Sequence, residues 1–394
     1  MNDRECFNKI MNFEPGVKTL KWEMGYWTET LARWYKEGLP TVSDMSAEKI
    51  LSLNATNCAG EALPSPNIYS NIADKDVHTH FNLDKGIRRI PVDHWIFPWF
   101  ERTILEETDS TILLIDEEGI TKRISKYSSS IPQYVSWPIS NREDFEKLKE
   151  RFNPDTPGRF PEDWTSIAEE LRNRDYPLAL GAKPVGLFGS LRELMGYENL
   201  LTGYYDDPEL IKDILSFLTE FWITLWDKIL PQTDADLAFF WEDMSYNKGS
   251  LISPATFREF MTPYYKKLIN YLKSHGINTI FVDTDGECTE LIPLFMECGI
   301  TGLLPFEVQA GMNIAKIAKD FPTLQIMGGL DKILISRGDK EEIDKELNEK
   351  VLPLLKRGGY IPCMDHIVNP EVSWETFIYY RTKLNQMIEG LEKK

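Results

Sequence analysis

Short apolar runs alternate with amphipathic segments through the second half of the chain. From about residue 175 onward, each run is four to six residues long, and the segment after it carries apolar residues at helical spacing. This alternation predicts βαβ units and a parallel sheet. The predicted strands are 176–181, 237–241, 278–282, 302–306, 324–328 and 359–362.

The start and stop signals of the predicted helices agree with this pattern. One helix begins at "DDPELIKDIL", with Asp207 before Pro208. Another begins at "SPATFREF", with Ser253 before Pro254, and ends near Gly276. Aspartate or serine followed by proline is typical of a helix start, and glycine is typical of a helix end.

A further strand is predicted near residue 20, in "KTLKWEMG", and it leads into a helix, "TETLARWYKEGLP". With this strand, the length of 394 residues favours a (β/α)8 barrel over two nucleotide-binding halves. Neither G-x-G-x-x-G nor G-x-x-x-x-G-K-[ST] occurs in the sequence. The predicted fold class is therefore α/β, a TIM barrel formed by a single domain over residues 1–394.

The part of the domain before about residue 150 is irregular and rich in aromatic residues. It contains an insertion with Pro64 and Pro66 that has no clear periodicity. Next, "ERTILEETDSTILLIDEEGITKRISK" alternates apolar and polar residues around two turns, which predicts a β-hairpin or meander. "NREDFEKLKERF" then predicts a capped surface helix. The barrel is thus expected to carry an N-terminal extension and a β-hairpin insertion.

The formal net charge of −18 narrows the range of partners. A surface with 62 acidic and 44 basic residues repels nucleic acid and anionic membranes, so we expect neither as a partner. The sequence has no stretch long and apolar enough to span a bilayer. The five cysteines include no C-x-x-C pair, which predicts a cytoplasmic protein with reduced thiols and excludes a finger-type zinc site.

Polar side chains follow the predicted strands at their carboxyl ends, where barrels of this type carry their chemistry. Asp283 and Asp285 are two residues apart, so on a continuing strand both face the barrel mouth. The full set is Glu242, Asp243, Asp283, Asp285, Glu307, Asp331, Cys363, Asp365 and His366. Any one of these acids is equally well explained as a helix cap or a turn residue. Acids from four or more strands repel one another unless a cation neutralises them or they hold protons.

A histidine makes the metal interpretation more specific. His366 follows Asp365 at the last predicted strand, and with Asp285, Glu307 and Cys363 it forms a plausible mixed ligand set for zinc or a similar divalent ion. A purely structural role for His366 remains open.

His78 and His80 are weaker candidates for metal ligands, and they lie on one face of a segment predicted to be extended. Tyr26, Trp27 and Tyr246 are candidates for binding a substrate, and a core position is the alternative for the first two.

Seven stretches of the chain carry a resemblance to a known family. They are "WEMGYWTETLARWYKEGLP", "GLFGSLRELMGYENL", "WEDMSYNKGSLISPATFREFMTPYY", "FVDTDGE", "LLPFEVQAGMNI", "MGGLDK" and "GGYIPCMDH". Over nearly its full length the chain resembles the uroporphyrinogen decarboxylase-like superfamily. The resemblance implies a (β/α)8 barrel and two branches of function, the decarboxylases of haem biosynthesis and zinc methyltransferases that exchange methyl groups with corrinoid proteins.

The decarboxylase branch is disfavoured by the segment after the first predicted strand. There the branch carries an arginine-rich segment of the "RQAGR" type that holds the carboxylates of the porphyrinogen. The matching place in this chain, "EMGYW", contains no arginine. A substrate with eight carboxylates would meet an acidic, aromatic site.

The methyltransferase branch has a zinc site made of His-x-Cys, a glutamate and a distant cysteine. In this chain Asp283-x-Asp285 stands in place of His-x-Cys, Glu307 follows 22 residues after Asp285, and Cys363 and His366 stand at the distant position. Two aspartates make the site harder and richer in oxygen, which puts activation of a thiol in doubt. Such a site suits a Lewis acid that polarises an oxygen, for example that of an aryl methyl ether.

The resemblance therefore leads to one main hypothesis, a methyltransferase that moves a methyl group from a small methylated substrate to a separate corrinoid protein. Candidate substrates include O-methylated aromatics, as in anaerobic O-demethylation. Zinc would be held by Asp285, Glu307, His366 and Cys363, and Glu242, Asp243 or Asp283 would orient the substrate or handle a proton.

The corrinoid must come from a partner, since the chain has no D-x-H-x-x-G motif. The resemblance also implies a homodimer. The alternatives are a metal-independent decarboxylase of a small organic acid and a barrel that binds a ligand without turnover.

Overall fold

The computed structural model describes residues 1–52, 75–127, 132–181 and 183–390. Pro64 and Pro66 of the predicted insertion lie outside these residues. Within them, no helix is long and apolar enough to cross a membrane.

A curled parallel sheet forms the centre of the molecule, and its strands join in the order β1-β6-β7-β10-β11-β12-β13. The strands of the described residues are β1 Arg88–Arg89, β2 Thr103–Glu107, β3 Thr111–Ile115, β4 Thr121–Ser125, β5 Gln133–Ser136, β6 Leu178–Gly181, β7 Leu237–Trp241, β8 Ser245–Tyr246, β9 Gly249–Ser250, β10 Thr279–Thr284, β11 Gly302–Pro305, β12 Gln325–Met327 and β13 Tyr360–Ile361. The six strands predicted from the apolar runs are confirmed, as is the α/β class.

The predicted strand near residue 20 is not formed, and only an isolated bridge joins Tyr26 to Val368. The segment instead pairs irregularly with its neighbours. The Thr19 hydroxyl donates to the Tyr360 carbonyl at 2.6 Å, and the Lys21 amide donates to the Asp84 carboxylate at 2.7 Å. Because side chains satisfy part of this backbone, no regular ladder extends along it. The eight-stranded barrel thus stays a prediction, and seven strands of the parallel sheet are seen in the described residues.

Helices surround the sheet. They are α1 Asp3–Met11, α2 Thr28–Glu37, α3 Ala47–Ser52, α4 Lys75–Phe81, α5 Arg142–Leu148, α6 Trp164–Arg172, α7 Phe188–Met195, α8 Tyr197–Asp206, α9 Pro208–Ile229, α10 Pro254–Thr256, α11 Thr262–Ser274, α12 Ile292–Cys298, α13 Ile314–Asp320, α14 Lys332–Ser336, α15 Lys340–Glu346, α16 Leu352–Arg357 and α17 Trp374–Glu389. The predicted helix starts are confirmed: Asp207 accepts from the Leu210 amide at 3.0 Å, and Ser253 accepts from the Thr256 amide at 3.1 Å.

Alternation along the parallel strands divides the apolar residues between two cores. Phe239 and Phe281 belong to a core inside the curled sheet, whereas their neighbours Phe240 and Val282 belong to the larger core between sheet and helices. Helix α1 joins the inner core. It covers the amino ends of the strands, where the Gln325 side chain donates to the carbonyl of residue 11 at 2.9 Å. The carboxyl ends of the strands form the opposite face.

Strands β2 to β5, which lie between β1 and β6 in the sequence, form a separate antiparallel sheet. This confirms the predicted hairpin or meander. One local prediction is wrong, because His78 and His80 lie on helix α4 rather than on an extended segment. Burial of Val77 and Phe81 on one face of that short helix explains the difference. Burial also lowers the pKa of His78 to about 4.

Candidate metal centre

Three of the predicted site residues meet at the carboxyl ends of the parallel strands. Asp285 follows β10, Glu307 follows β11, and His366 lies on the loop after β13. One ligand atom from each residue can be chosen so that all three lie within 4.8 Å of one another. Nε2 of His366 lies 3.4 Å from Oδ2 of Asp285.

Tight turns bring Asp285 and Glu307 together. The amide of Gly286 donates to Oε2 of Glu307 at 3.1 Å. Gly286 has a φ of 78°, and a Cβ there would lie 2.6 Å from the Tyr246 amide nitrogen, so only glycine fits. Phe306, directly before Glu307, also has a left-handed φ, of 62°. These turns fix where the Glu307 carboxylate lies.

Asp365 joins its own loop to the loops that follow β11 and β12. Its carboxylate is fully buried and accepts from the amide of Val308 at 2.7 Å and from the amide of Lys332 at 3.1 Å. Val308 follows Glu307, and His366 follows Asp365. One carboxylate therefore links the loops that carry Glu307, Lys332 and His366, which is a positioning role.

Lys332 belongs to the cluster, and the sequence reasoning missed it. Its Nζ lies 3.0 Å from Oε1 of Glu307, and both side chains are largely buried. Asp331, which was a candidate, instead caps helix α14 by accepting from the amides of Ile333 and Leu334. A lysine directly after a strand-end acid in "MGGLDK" was the available signal.

The electrostatics of Asp285 and His366 are linked. Burial raises the pKa of Asp285, the His366 charge opposes this rise, and the Asp243 and Glu307 charges add to it. Burial by itself lowers the pKa of His366, but the adjacent Asp285 carboxylate outweighs it, so the net pKa is raised. A positive charge on His366 and a negative charge on Asp285 therefore stabilise each other.

The donor set fits a divalent cation. Two carboxylates and one imidazole make three protein ligands, the number found in catalytic zinc sites that keep a fourth position open. Oδ1 of Asp285 is buried and has no hydrogen-bond partner within the described residues. Such a buried oxygen is costly unless a ligand satisfies it. Asp285, Glu307 and His366 are therefore the residues that could hold a metal.

The structure does not bring Cys363 into this cluster. Its side chain lies in the inner core with Ile361 and Ile367. Burial and the charge of Glu23 raise the pKa of the Cys363 thiol well above its ordinary value. A protonated thiol is a poor metal ligand, since metals bind the thiolate.

Glu242 also lies away from the three ligands. It is fully buried and accepts from the amides of Leu187 at 2.7 Å and Gly189 at 2.9 Å and from the Tyr265 hydroxyl. These contacts hold the start of helix α7. Burial raises the pKa of Glu242.

Asp243 lies closer to the cluster, since its charge contributes to the raised pKa of Asp285. It has a left-handed φ of 46° and forms an ion pair with Arg192. The guanidinium of Arg192 stacks over the Trp241 ring, 4.2 Å from its centroid. Asp283 is buried, and its carbonyl accepts from the amides of Glu242 and Asp243.

The three aromatic candidates lie in different environments. Tyr26 is fully buried in the larger core, with its ring 5.3 Å from Trp34 and 5.7 Å from Phe377. Trp27 is half-buried against the inner core. Tyr246 is exposed and adjoins Gly286, beside Asp285. Tyr26 and Trp27 adjoin Val368, two residues after His366, through backbone contacts, whereas Tyr246 adjoins the turn at Gly286.

A curled parallel sheet surrounded by helices, with a polar cluster at the carboxyl ends of its strands, is typical of α/β barrel proteins. Within that class, the chain belongs to the uroporphyrinogen decarboxylase (URO-D) family, whose profile matches residues 113–380. The family resemblance found in the sequence is thereby confirmed.

Two relatives extend this comparison. A methylated-thiol–coenzyme M methyltransferase from Methanosarcina mazei is 25% identical over 222 residues, which cover 56% of this chain and 54% of the relative. The chain thus matches about half the length of that curated relative. A solved structure of a methyltransferase from Methanosarcina mazei has a TM-score of 0.55 and 13% identity, over 98% of this chain and 99% of the other. That structural similarity supports the fold alone.

Proposed function

We propose that the protein is a methyltransferase that moves a methyl group from a small methylated substrate to a corrinoid held by a separate protein. The observation that carries the proposal is the cluster of Asp285, Glu307 and His366, in which one buried Asp285 oxygen lacks a partner within the described residues. Membership of the URO-D family and the similarity to a methyltransferase support the same activity.

Asp285, Glu307 and His366 are the proposed metal ligands. Zinc bound there would act as a Lewis acid on the atom that gives up the methyl group. Two carboxylates among three ligands make the site hard, which favours an oxygen leaving atom over a thiol. We therefore place O-methylated compounds, including aromatic methyl ethers, ahead of methylated thiols as substrates.

Neighbouring residues supply orientation and a proton. Asp243 is partly exposed and is held by Arg192, so it is the acid best placed to handle a proton near Asp285. Tyr246 is exposed beside Gly286 and is the aromatic side chain best placed to contact a substrate ring. Asp283 and Trp27 remain candidates for substrate contacts. Glu242 acts through the start of helix α7 as a positioning residue.

The acceptor is proposed to arrive on another protein. The chain contains no D-x-H-x-x-G corrinoid motif. Helix α1 covers the amino ends of the strands, and the site lies at their carboxyl ends. We therefore expect the partner protein to approach the carboxyl-end face.

Metal content tests the proposal first. Protein purified without added metal or an affinity tag would be analysed by plasma mass spectrometry, together with Asp285→Ala, His366→Ala and the control His80→Ala. His80 lies on helix α4 against Trp374, in a different aromatic cluster. We expect about one zinc per chain in the native protein and the control. Loss of zinc in both site variants, with loss of demethylation of a methyl ether by a reduced corrinoid acceptor, is the expected result.

A second candidate function rests on the pairing of charges in the cluster. Lys332 pairs with Glu307, and His366 pairs with Asp285, so the four groups also balance one another. This arrangement favours a metal-independent decarboxylase of a small organic acid. Release of CO2 from such an acid, unaffected by chelator, would replace the methyltransferase proposal.

A further inference from the structure

We infer that Lys332 is a built-in counter-ion of Glu307 and that a divalent cation must displace its amine to bind at this site. The inference rests on the proposed metal centre and deepens it. It makes Lys332 the residue that sets how tightly the centre holds its cation.

The hydrogen bonds of the Glu307 carboxylate bring a bound cation into competition with Lys332. Both oxygens of Glu307 have partners: Oε2 accepts from the amide of Gly286, and Oε1 lies 3.0 Å from Nζ of Lys332. The amide of Gly286 belongs to a constrained turn and cannot move away without moving Asp285. The amine is at the end of a flexible side chain and can. A cation that binds Glu307 through Oε1 therefore either shares that oxygen with the Lys332 amine or displaces it, since each carboxylate oxygen has two lone-pair sites.

The charges of the cluster also set Lys332 against a bound cation. The carboxylates of Asp285 and Glu307 neutralise a divalent cation by themselves. A lysine left at 3.0 Å from Glu307 would then lie within a few ångströms of the metal, and two cations at that distance in a partly buried site repel strongly. Metal and amine therefore exclude each other.

The backbone of Lys332 is held by contacts that do not involve its amine. Its amide donates to Asp365 at 3.1 Å, and Asp331 caps the helix that Lys332 begins. The amine can thus leave Glu307 by rotation about side-chain bonds, with the loop in place. Binding a metal requires no rearrangement of the loops at the strand ends.

Zinc titration of the metal-free protein tests the inference, with affinity measured by competition against a chromophoric chelator. We expect Lys332→Met to bind zinc about tenfold or more tightly than native protein, because the competitor is absent. Lys332→Arg, which keeps the charge, should bind close to or below the native level. Lys122→Met is the matched control, since Lys122 forms a similar pair with Asp116 at 2.8 Å in the antiparallel sheet. The control should leave zinc affinity unchanged.

A second measurement separates displacement from a purely electrostatic effect. Metal-free and zinc-loaded native protein would be treated briefly with acetic anhydride, and acetylation of Lys332 would be measured by peptide mass spectrometry relative to Lys122. Displacement predicts that Lys332 becomes several-fold more reactive when zinc binds. An electrostatic effect at a distance would change the affinity of Lys332→Met but leave this reactivity unchanged.

The outcomes separate the inference from the proposed function. If native protein and Lys332→Met bind zinc equally well and acetylation does not change, Lys332 is no competitor and the metal centre stands without it. If zinc binds neither protein, both the competition and the metal centre are wrong. Binding by Lys332→Met that is clearly tighter than native binding, together with zinc-induced exposure of Lys332, establishes the inference.

Discussion

The two ends of the parallel strands differ in how many hydrogen-bond donors they supply to an acid. At the amino ends, Asp236 is fully satisfied: Arg4 and Asn8 donate to one oxygen, and Arg174 and the amide of Leu178 donate to the other. At the carboxyl ends, Asp285 has only His366 at 3.4 Å, and its second oxygen lacks a partner within the described residues. The amino-end acid is thus compensated by several donors, and the carboxyl-end acid is the one we propose as a metal ligand.

The comparison teaches that residue type alone does not mark a functional acid. Asp236 and Asp285 adjoin neighbouring strands of one sheet, β7 and β10, at opposite ends. Their difference lies in how many donors the fold supplies. In barrels of this class, amino-end residues serve stability and carboxyl-end residues serve chemistry. Three substitutions and a pH profile test whether the two ends differ in this way.

The largest effect is expected at the satisfied end. Asp236→Ala removes one partner of Arg174, whose side chain is fully buried, and leaves that charge poorly compensated. We expect the free energy of unfolding to fall by about 3 kcal/mol, with zinc affinity unchanged. Urea denaturation and zinc titration measure the two quantities. A fall in zinc affinity together with the fall in stability would mean that the two ends of the sheet are coupled, which would contradict the contrast between them.

The unsatisfied end should give the reverse pattern. Asp285→Asn removes both a charge that burial disfavours and the partner of His366, and because these effects oppose each other, the free energy of unfolding of the metal-free protein should stay within about 1 kcal/mol of native. Zinc affinity should fall about 100-fold, since a carboxylate ligand is lost. Calorimetry of metal-free protein and chelator competition test both parts. A large loss of stability with little loss of affinity would assign Asp285 a structural role.

A pH effect on stability is expected from the same pair. The folded pKa of His366 is raised above its ordinary value of 6.5, because the neighbouring Asp285 carboxylate outweighs burial and the charge of Lys332. A raised folded pKa means that the stabilisation is present below about pH 6.5 and is lost as the pH rises through the folded pKa.

The raised pKa of Asp285 acts in the same direction, at lower pH. Thermal unfolding in the presence of a chelator, compared between native protein and His366→Gln, measures this effect. We expect the native protein to lose stability above about pH 6.5 and the variant to lose less. Parallel curves for the two proteins would contradict the prediction.

The smallest effect is expected from an exposed member of the amino-end network. Asp234 pairs with Arg4 and with Arg174, but its side chain is 55% exposed. Exposed pairs contribute little, so Asp234→Ala should lower the free energy of unfolding by less than about 1 kcal/mol. Urea denaturation beside Asp236→Ala shows whether burial, rather than charge, decides the stability of this end. Equal losses in the two variants would argue against burial.

Much of this organisation was predictable from local patterns. The run 237–241 predicts the observed strand β7, and the Asp-Pro signal places the start of helix α9, because both depend on neighbouring residues and on periodicity. Strand ends could be ordered along the chain, so Asp285, Glu307 and His366 could be expected at one face.

Other features depended on contacts distant in the sequence. Glu242 and Asp243 are adjacent, yet Glu242 accepts from an amide at the start of α7, whereas Asp243 pairs with the Arg192 side chain farther along that helix. Cys363 and His366 are three residues apart, yet the first lies in the inner core and the second in the cluster. A difference of one or three positions in a loop depends on its path, which periodicity does not describe.

The sequence by itself determined the α/β class, the order of strands and helices, and the end of the sheet at which acids collect. These follow from hydrophobic period, helix caps and the parallel direction that βαβ units impose. Which acids are satisfied depends on the tertiary structure: Asp236 and Asp365 accept from donors on other elements, whereas one oxygen of Asp285 has no partner in the part of the chain that the structure describes. The contact between Lys332 and Glu307 likewise depends on the folded loops. The physical reason is that hydrogen bonds and ion pairs act over about 3 Å, and residues distant in sequence reach that distance only when the loops have folded.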